Sequence, residues 1–162
     1  THQGYLKRIS LDTFERQNRA TRGKAGMKTK DDDDIQHFFT AMMHDKVLFF
    51  SSKGIVYSLN VYDFPEGGRQ SKGLPIVNVL PIEQGERITA VVPVSNFSHD
   101  LNLIMLTQKG YIKRIELDNF ASIRRSGIIA ISLEEGDKLN WVKLANPNDE
   151  IIIGTSCGMA KI

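Results

Sequence analysis

The chain has 162 residues, 41% of them hydrophobic and 25% charged, with a formal net charge of +2. This content is sufficient for one packed domain and too apolar for a disordered segment. Cys157 is the single cysteine, which excludes an intrachain disulfide and suits a reducing compartment. No apolar run reaches the roughly 18 residues of a membrane span. The histidines lack zinc-type spacing with Cys157, so we expect no metal site.

One pattern recurs along the chain, each time around a glycine. A complete copy occupies Leu48–Val61 and another Leu103–Leu117, and partial copies lie at the two ends. The glycines of the four copies are Gly4, Gly54, Gly110 and Gly158. Their spacing of roughly 50 residues predicts a repeat architecture. The repeat units would be about 4–53, 54–109 and 110–157.

Residues after each glycine alternate between apolar and polar, as Ile55, Leu59 and Val61 show in the second copy. This period of two predicts half-buried β-strands and does not fit an amphipathic helix. An aromatic residue ends the alternation ten positions after each glycine. We expect these three rings to lie in the core: Phe14, Phe64 and Phe120.

Each phenylalanine is followed by a polar loop, a short predicted strand, a turn and another predicted strand. The turns are polar, and we expect the acidic run Asp31–Asp34 to be solvated. The predicted strands after the loops are Leu74–Leu80 and Ile128–Leu133. The predicted strands after the turns are Ile35–Met43, Arg87–Val94 and Lys138–Leu144. About four strands per unit is typical of propeller blades. We predict an all-β fold of about three blades plus partial end strands, with residues 1–162 forming a single domain or part of one.

Basic residues concentrate in the loops, which occupy the same place in each unit. The first loop, Glu15–Lys28, is the densest, and Pro65–Gly73 and Ser122–Gly127 are the second and third. A ring of blades would present them on one rim, where side chains and exposed N–H groups could contact phosphates. For the second and third loops, an ordinary solvated loop is an equally good interpretation.

The sequence shows no base-reading helix, so we expect contacts to the backbone of duplex DNA with little sequence readout. It also shows no Walker-type phosphate loop, nucleophile elbow or His–Cys pair, so we expect no catalytic residues and no bound cofactor. The predicted DNA-binding residues are Arg16, Gln17, Arg19, Arg22, Gly23, Lys24, Lys28, Arg69, Lys72, Arg124 and Arg125.

Three segments carry a resemblance to a known family: Gly4-Tyr-Leu-Lys-Arg8, the run from Phe50 to Ser58, and the run from Lys72 to Glu83. Through these segments the chain resembles the C-terminal β-pinwheel domain of DNA gyrase A, and the resemblance extends over essentially the whole chain. That family carries a Gln-Arg-Arg-Gly-Gly-Lys-Gly type motif in its first blade. The run from Gln17 to Gly23 resembles it, although Asn18, Ala20 and Thr21 depart, and two glycines are thereby missing.

The resemblance implies a non-catalytic domain of an ATP-dependent type IIA DNA topoisomerase, with ATP and Mg²⁺ used elsewhere in the holoenzyme. It implies that this domain bends duplex DNA around its basic rim and thereby supports negative supercoiling. The implied partners are double-stranded DNA, the rest of gyrase A and the gyrase B protein, without a membrane. The implied location is the bacterial cytoplasm, at the nucleoid, or an organelle. The family domain has six blades, about twice what this chain supplies.

Two other interpretations stay open. The matching domain of topoisomerase IV shares the blades but has a degraded or absent motif. A propeller-like scaffold that binds a protein partner would have no affinity for duplex DNA and would show an apolar patch on its face.

Overall fold

The protein is described by a computed structural model, which covers residues 1–14, 16–23, 25–27, 29, 32–156 and 158–161, and of Lys161 the backbone. Strands, turns and short 3₁₀ segments make up this part of the chain, and no α-helix occurs in it. The strands are β1 (Tyr5–Leu6), β2 (Lys46–Ser51), β3 (Ile55–Asn60), β4 (Leu74–Pro75), β5 (Ile88–Val94), β6 (Asn102–Thr107), β7 (Ile112–Glu116), β8 (Ile128–Ile129), β9 (Leu139–Ala145), β10 (Ile153–Gly154) and β11 (Ala160–Lys161). The all-β prediction is confirmed.

The chain builds the same tight turn four times, at the four predicted glycines. Each glycine has a φ between 76° and 93°, a region that residues with a Cβ rarely adopt. Its N–H donates to the carbonyl of the residue three positions before it, at 3.0–3.1 Å. The hydroxyl of that same residue accepts the N–H of the residue after the glycine, at 3.1–3.3 Å. The hydroxyl residues are Thr1, Ser51, Thr107 and Thr155.

The two complete hairpins are the centres of two sheets. The hairpin β2–β3 lies in a four-stranded sheet of order β5-β2-β3-β8, and the hairpin β6–β7 lies in a three-stranded sheet of order β7-β6-β9. All pairings are antiparallel. In both sheets a strand later in the chain, β5 or β9, pairs with the first arm of the hairpin.

The short strands after the loops do not pair within their own unit. β4 pairs with β1, and β8 pairs with β3, so the second and third basic loops each carry the chain from one hairpin back to the hairpin before it. The crossing is tight because a Cβ at Gly54 would lie 2.3 Å from the carbonyl oxygen of Ile131. The loops are thus held at both ends by strands of adjacent units.

The core fills the space on both faces of the four-stranded sheet. Leu48 and Phe50 of β2 face the three-stranded sheet and pack with Leu103 and Met105 of β6, all of them fully buried. Alternate residues of β2 face a second cluster with Tyr57, Phe64 and Leu80. Two buried faces explain why β2 reads as a continuous apolar run. Burying each large side chain contributes about 1.5–3 kcal/mol.

Two predictions for the first unit were wrong. Residues 35–43 contain no strand, and Phe38 and Met42 are exposed. The corresponding strands β5 and β9 pair with the first arm of a hairpin, whereas the turn at Gly4 has only its second arm, β1, among these residues. Phe14 is 37% exposed, although Phe64 and Phe120 are buried as expected, since no sheet covers the first ring.

Candidate nucleic-acid interface

The first loop extends from the end of a 3₁₀ turn, Leu11–Thr13, and its described residues at 16–23 are all exposed. Arg16, Gln17, Arg19, Arg22 and Gly23 lie here. No hydrogen bond or ion pair joins their side chains to another described residue. Two further predicted residues, Lys24 and Lys28, lie outside the described residues.

A tight turn at 18–21 shapes the first loop. The Thr21 hydroxyl donates to the carbonyl of Asn18 at 2.8 Å. Ala20 has a φ of 63°, and in the described chain no other residue with a Cβ has a positive φ. Ala20, which the resemblance aligns with a glycine of the motif, therefore has the backbone conformation that glycine favours, at a cost of about 1–2 kcal/mol.

The second loop lies beside the first. Arg69 and Gln70 border a cleft of ≈ 290 Å³ together with Ala25 and Met27 of the first loop. Arg69 is half-buried and Lys72 is exposed. The first two basic loops are therefore neighbours, and a common basic rim stays a prediction.

Two residues that hold the second loop were not among the predicted site residues. The Lys7 ammonium donates to the carbonyl oxygens of Gly68, Arg69 and Ser71, each at 2.9 Å. Arg8 forms an ion pair with Glu66 at 3.1 Å. The sequence does mark Lys7 as unusual. It lies three residues after Gly4, on the face of the alternating pattern that is otherwise mainly apolar, where a charged residue needs polar partners.

The third loop makes the equivalent crossing over β3. Arg124 and Arg125 are exposed, and the N–H of Gly127 donates to the carbonyl of Arg124 at 2.8 Å. A Cβ at Gly127 would lie 2.8 Å from the Tyr57 ring, so the loop must approach β3 closely at this point. No described contact joins this loop to the second, and its place on a common rim stays a prediction.

The acidic turns hold the structure together, although we expected the run Asp31–Asp34 to be solvated. Asp33, Glu86 and Asp137 are buried. Asp33 accepts the N–H of Gln3 at 2.9 Å, and Asp137 accepts those of Lys109 and Lys138 at 3.0 and 2.7 Å. Each carboxylate thus ties a turn to a neighbouring hairpin. Asp32 and Asp34 are exposed, while Lys30 and Asp31 lie outside the described residues.

Glu86 bonds the Tyr57 hydroxyl through both carboxylate oxygens, at 3.1 Å. Burial raises the pKa of Tyr57 to about 12, and the adjacent Glu86 adds to the effect. The hydroxyl therefore stays protonated as a donor throughout the physiological range. The arrangement is a buried clamp between the turn and β3, not an acid–base pair.

The structure brings together one group of possible metal ligands that the spacing of histidines in the sequence did not indicate. Ligand atoms of His99, Glu116 and Asp118 lie within 4.8 Å of one another. His99 and Glu116 are exposed, and the His99 Nδ1 is 2.7 Å from an Asp118 carboxylate oxygen. Glu116 is the last residue of β7, and Asp118 follows it before the third loop begins. In the described part of the chain, no helix has the length and apolar character needed to cross a bilayer.

Comparison with known proteins decides the family. The family model for "DNA gyrase C-terminal domain, beta-propeller" matches residues 1–41, 45–95 and 101–146. The chain belongs to this family. It is 56% identical over 160 residues to the DNA gyrase A protein of Synechocystis, covering 99% of this chain and 19% of that protein. It is 44% identical over 162 residues to the chloroplastic/mitochondrial gyrase A protein of Arabidopsis thaliana, covering 100% of this chain and 17% of that protein.

The chain thus spans about a fifth of the length of these relatives. Among solved structures, it superimposes on the C-terminal domain of DNA topoisomerase IV with a TM-score of 0.81 and 27% identity, covering 98% of this chain and 48% of that one. It superimposes on a DNA gyrase A C-terminal domain with a TM-score of 0.66 and 22% identity, covering 98% and 50%. These neighbours confirm the propeller-like fold.

Proposed function

We propose that this chain is part of a gyrase A domain that binds duplex DNA through its basic loops and bends it. The observation that supports the proposal is the shared cleft between the first and second loops, which Ala25 and Met27 line on one side and Arg69 and Gln70 on the other. The proposal includes the predicted DNA-binding residues of all three loops. It also includes the division into repeat units 4–53, 54–109 and 110–157.

Phosphate contacts suit the chemistry of these loops. Exposed guanidinium groups form charge-assisted and often bidentate hydrogen bonds to phosphate oxygens. Bending a site of 20–30 base pairs through 40–90° costs on the order of 1–6 kcal/mol, and contacts distributed along a curved surface offset that cost. Because no helix is available to enter the major groove in the described chain, binding would be largely independent of sequence.

In the whole enzyme, a domain of this kind would guide a neighbouring segment of the same duplex toward the cleavage centre with a fixed handedness. Negative supercoiling would follow, driven by ATP hydrolysis on other parts of the complex with gyrase B. In this proposal the chain contributes binding and bending, and catalysis takes place elsewhere in the enzyme.

The gyrase interpretation has one observation in its favour over topoisomerase IV. The curated relatives with 42–56% identity, over nearly the whole chain, are gyrase A proteins, while the topoisomerase IV structure has 27% identity. A supercoiling assay of the whole enzyme separates the two. Gyrase introduces negative supercoils into relaxed plasmid, whereas an enzyme that only relaxes plasmid would overturn the gyrase interpretation.

The DNA-binding proposal is tested by the salt dependence of binding to a duplex of about 30 base pairs. The logarithm of the binding constant should fall linearly with the logarithm of salt concentration, with a slope of about −0.9 for each phosphate contacted. A bending assay on the same duplex, with donor and acceptor dyes at its ends, should report shortening of the end-to-end distance. Binding that does not change with salt would overturn the rim interpretation.

A further inference from the structure

We propose that the second loop, residues 65–73, binds a phosphate group through the backbone N–H groups of Arg69, Gln70 and Lys72, and that Lys7 is the positioning residue that orients them. The inference rests on the proposed function and adds to it a specific set of atoms. It assigns to Lys7, which directly follows β1, a role in DNA binding that involves no contact with DNA.

The contacts of Lys7 are the starting observation. Its ammonium group has three donors and no acceptor, and all three donors are used on carbonyl oxygens of a single loop. Burial lowers the pKa of Lys7 from its ordinary value of 10.5. The three carbonyl contacts require the charged form, so the lysine acts as a fixed positive charge beneath the loop.

The direction of these carbonyls fixes the direction of three N–H groups. In a planar trans peptide, the C=O and the next residue's N–H point in opposite directions. The carbonyls of Gly68, Arg69 and Ser71 point at Lys7, so the N–H groups of Arg69, Gln70 and Lys72 point away from it. None of the three donates to another described group of the chain, and the residues around them are mostly exposed.

The ends of the loop are fixed independently of Lys7. Backbone hydrogen bonds join Arg8 to Pro65 at 2.9 Å and Gly67 to Arg8 at 3.0 Å. At the other end, a Cβ at Gly73 would lie 2.2 Å from the carbonyl oxygen of Leu6, so the chain passes directly against β1. With both ends held, loss of Lys7 would release the middle of the loop without detaching it.

The ligand chemistry follows from this arrangement. Backbone N–H groups in a turn are donors for oxyanions, and the Arg69 and Lys72 side chains add positive charge at the same place. The one carboxylate in the loop, Glu66, is paired with Arg8. A phosphodiester oxygen of duplex DNA fits these donors, and inorganic phosphate presents the same chemistry without the duplex.

The first experiment is a nuclear magnetic resonance titration of the 162-residue chain labelled with ¹⁵N. Inorganic phosphate and, separately, a duplex of about 30 base pairs are added, and the amide signals are followed. We expect both ligands to shift the amide signals of Arg69, Gln70 and Lys72 more than those of the acidic turns. This wild-type measurement does not depend on whether any variant folds.

The second experiment compares Lys7→Met with Lys113→Met. Lys113 is a matched control, because it lies three residues after Gly110 and its ammonium donates to one carbonyl, that of Ala130, at 2.9 Å. We expect Lys7→Met to abolish the phosphate-induced shifts and to weaken duplex binding about threefold to tenfold, since the loop must then be ordered on binding. Lys113→Met should retain both properties.

The possible outcomes separate the two proposals. If the duplex shifts other loop signals but leaves these three amides unchanged, the inference is wrong and the proposed function stands. If phosphate shifts amides across the surface without preference for these three, the inference is likewise wrong. If the duplex shifts no signals at all, the proposed function itself fails. Equal weakening by the two lysine variants would remove the positioning role of Lys7.

Discussion

The acidic turns and the basic loops have comparable local charge in the sequence, and the structure gives them opposite roles. Glu86 and Asp137 are buried and accept hydrogen bonds from the backbone and side chains of nearby hairpins. Arg16, Arg19 and Arg22 are exposed and have no partner among the described residues. The buried carboxylates form hydrogen bonds that hold turns to hairpins, whereas the guanidinium groups of the first loop form none with the described residues. Charge density alone therefore does not identify a binding surface.

The largest expected effect comes from removing the exposed arginines of the first loop together with Arg69, which borders the cleft. Replacing Arg16, Arg19, Arg22 and Arg69 by alanine should weaken duplex binding at least about tenfold, and should make the salt slope less steep by roughly 0.9 for each lost contact. The melting temperature should stay close to the wild-type value, because the side chains have no described partners. Fluorescence anisotropy at several salt concentrations measures the affinity.

A matched control removes the same charge from elsewhere. Replacing Arg87, Lys109, Lys138 and Lys143 by alanine lowers the net charge equally but leaves the loops intact. If this control weakens binding as much as the loop variant does, binding depends on total charge, and the distinction between the loops and the rest of the surface fails.

The second effect is on stability and comes from the acidic turns. Glu86→Ala removes the acceptor of the Tyr57 hydroxyl and of the Glu83 N–H, so both donors lose their partner near the core. The free energy of unfolding should fall by about 1–3 kcal/mol in urea titrations. Duplex affinity, measured where the variant is folded, should change little.

The same titration on Glu83→Ala is the control. Glu83 is exposed and bonded to Lys53, so its loss should destabilise the protein much less. A Glu86→Ala protein as stable as the wild type would show that the buried carboxylate is not a structural clamp.

The sequence predicts the hairpins well because their information is local. Gly54 and Gly110 need a positive φ, and the alternation that follows each one is set by a single sheet face. The crossings were not predictable in the same way. β4 and β8 pair with hairpins of the preceding unit, and two-residue strands carry too little pattern to name their partners.

The candidate site shows the same difference between local features, which the sequence predicts, and distant contacts, which it does not. Exposed arginines of the first loop could be identified from composition, since dense basic residues in a polar loop are uncommon. The brace provided by Lys7 depends on a contact between residues more than 60 positions apart, and its partners are backbone carbonyls, which every residue has. No side-chain pattern in the second loop indicates that contact with Lys7.

The third effect is a dependence of stability on pH. Burial alone would raise the pKa of Asp137, but the nearby Thr107 hydroxyl and the N–H groups of Lys109 and Lys138, which donate to its carboxylate, hold it below its ordinary value of 3.8. The folded pKa is therefore lower than the unfolded one. The resulting stabilisation is present above the unfolded pKa and is lost as the pH falls through the folded pKa.

Asp137→Asn tests this dependence. It should lower the melting temperature at neutral pH and flatten the fall in melting temperature below about pH 4. Calorimetric scans between neutral and acid pH measure both effects. An unchanged acid limb in the variant would show that other carboxylates account for the acid sensitivity.

The smallest effect concerns the backbone of the first loop. Ala20 holds a φ of 63° at a place where the family motif has glycine. Ala20→Gly removes a strain of about 1–2 kcal/mol and adds unfolded-state entropy worth about 0.4–1 kcal/mol, so the turn should gain on the order of 0.5–1 kcal/mol. Because the turn is exposed, we expect the gain as slower amide exchange at 18–21 and an increase in duplex affinity of about twofold at most.

Ala25→Gly is the counterpart, since Ala25 is also exposed in this loop but does not have a positive φ. There the substitution relieves no strain and only adds unfolded-state entropy, so amide exchange in the loop should become faster. Slower amide exchange in Ala20→Gly and faster exchange in Ala25→Gly would show that the loop keeps a glycine-type turn although residue 20 is alanine. The same sign for both would mean that the turn at Ala20 is not a fixed feature of the basic surface, and that its arginines act from a flexible segment.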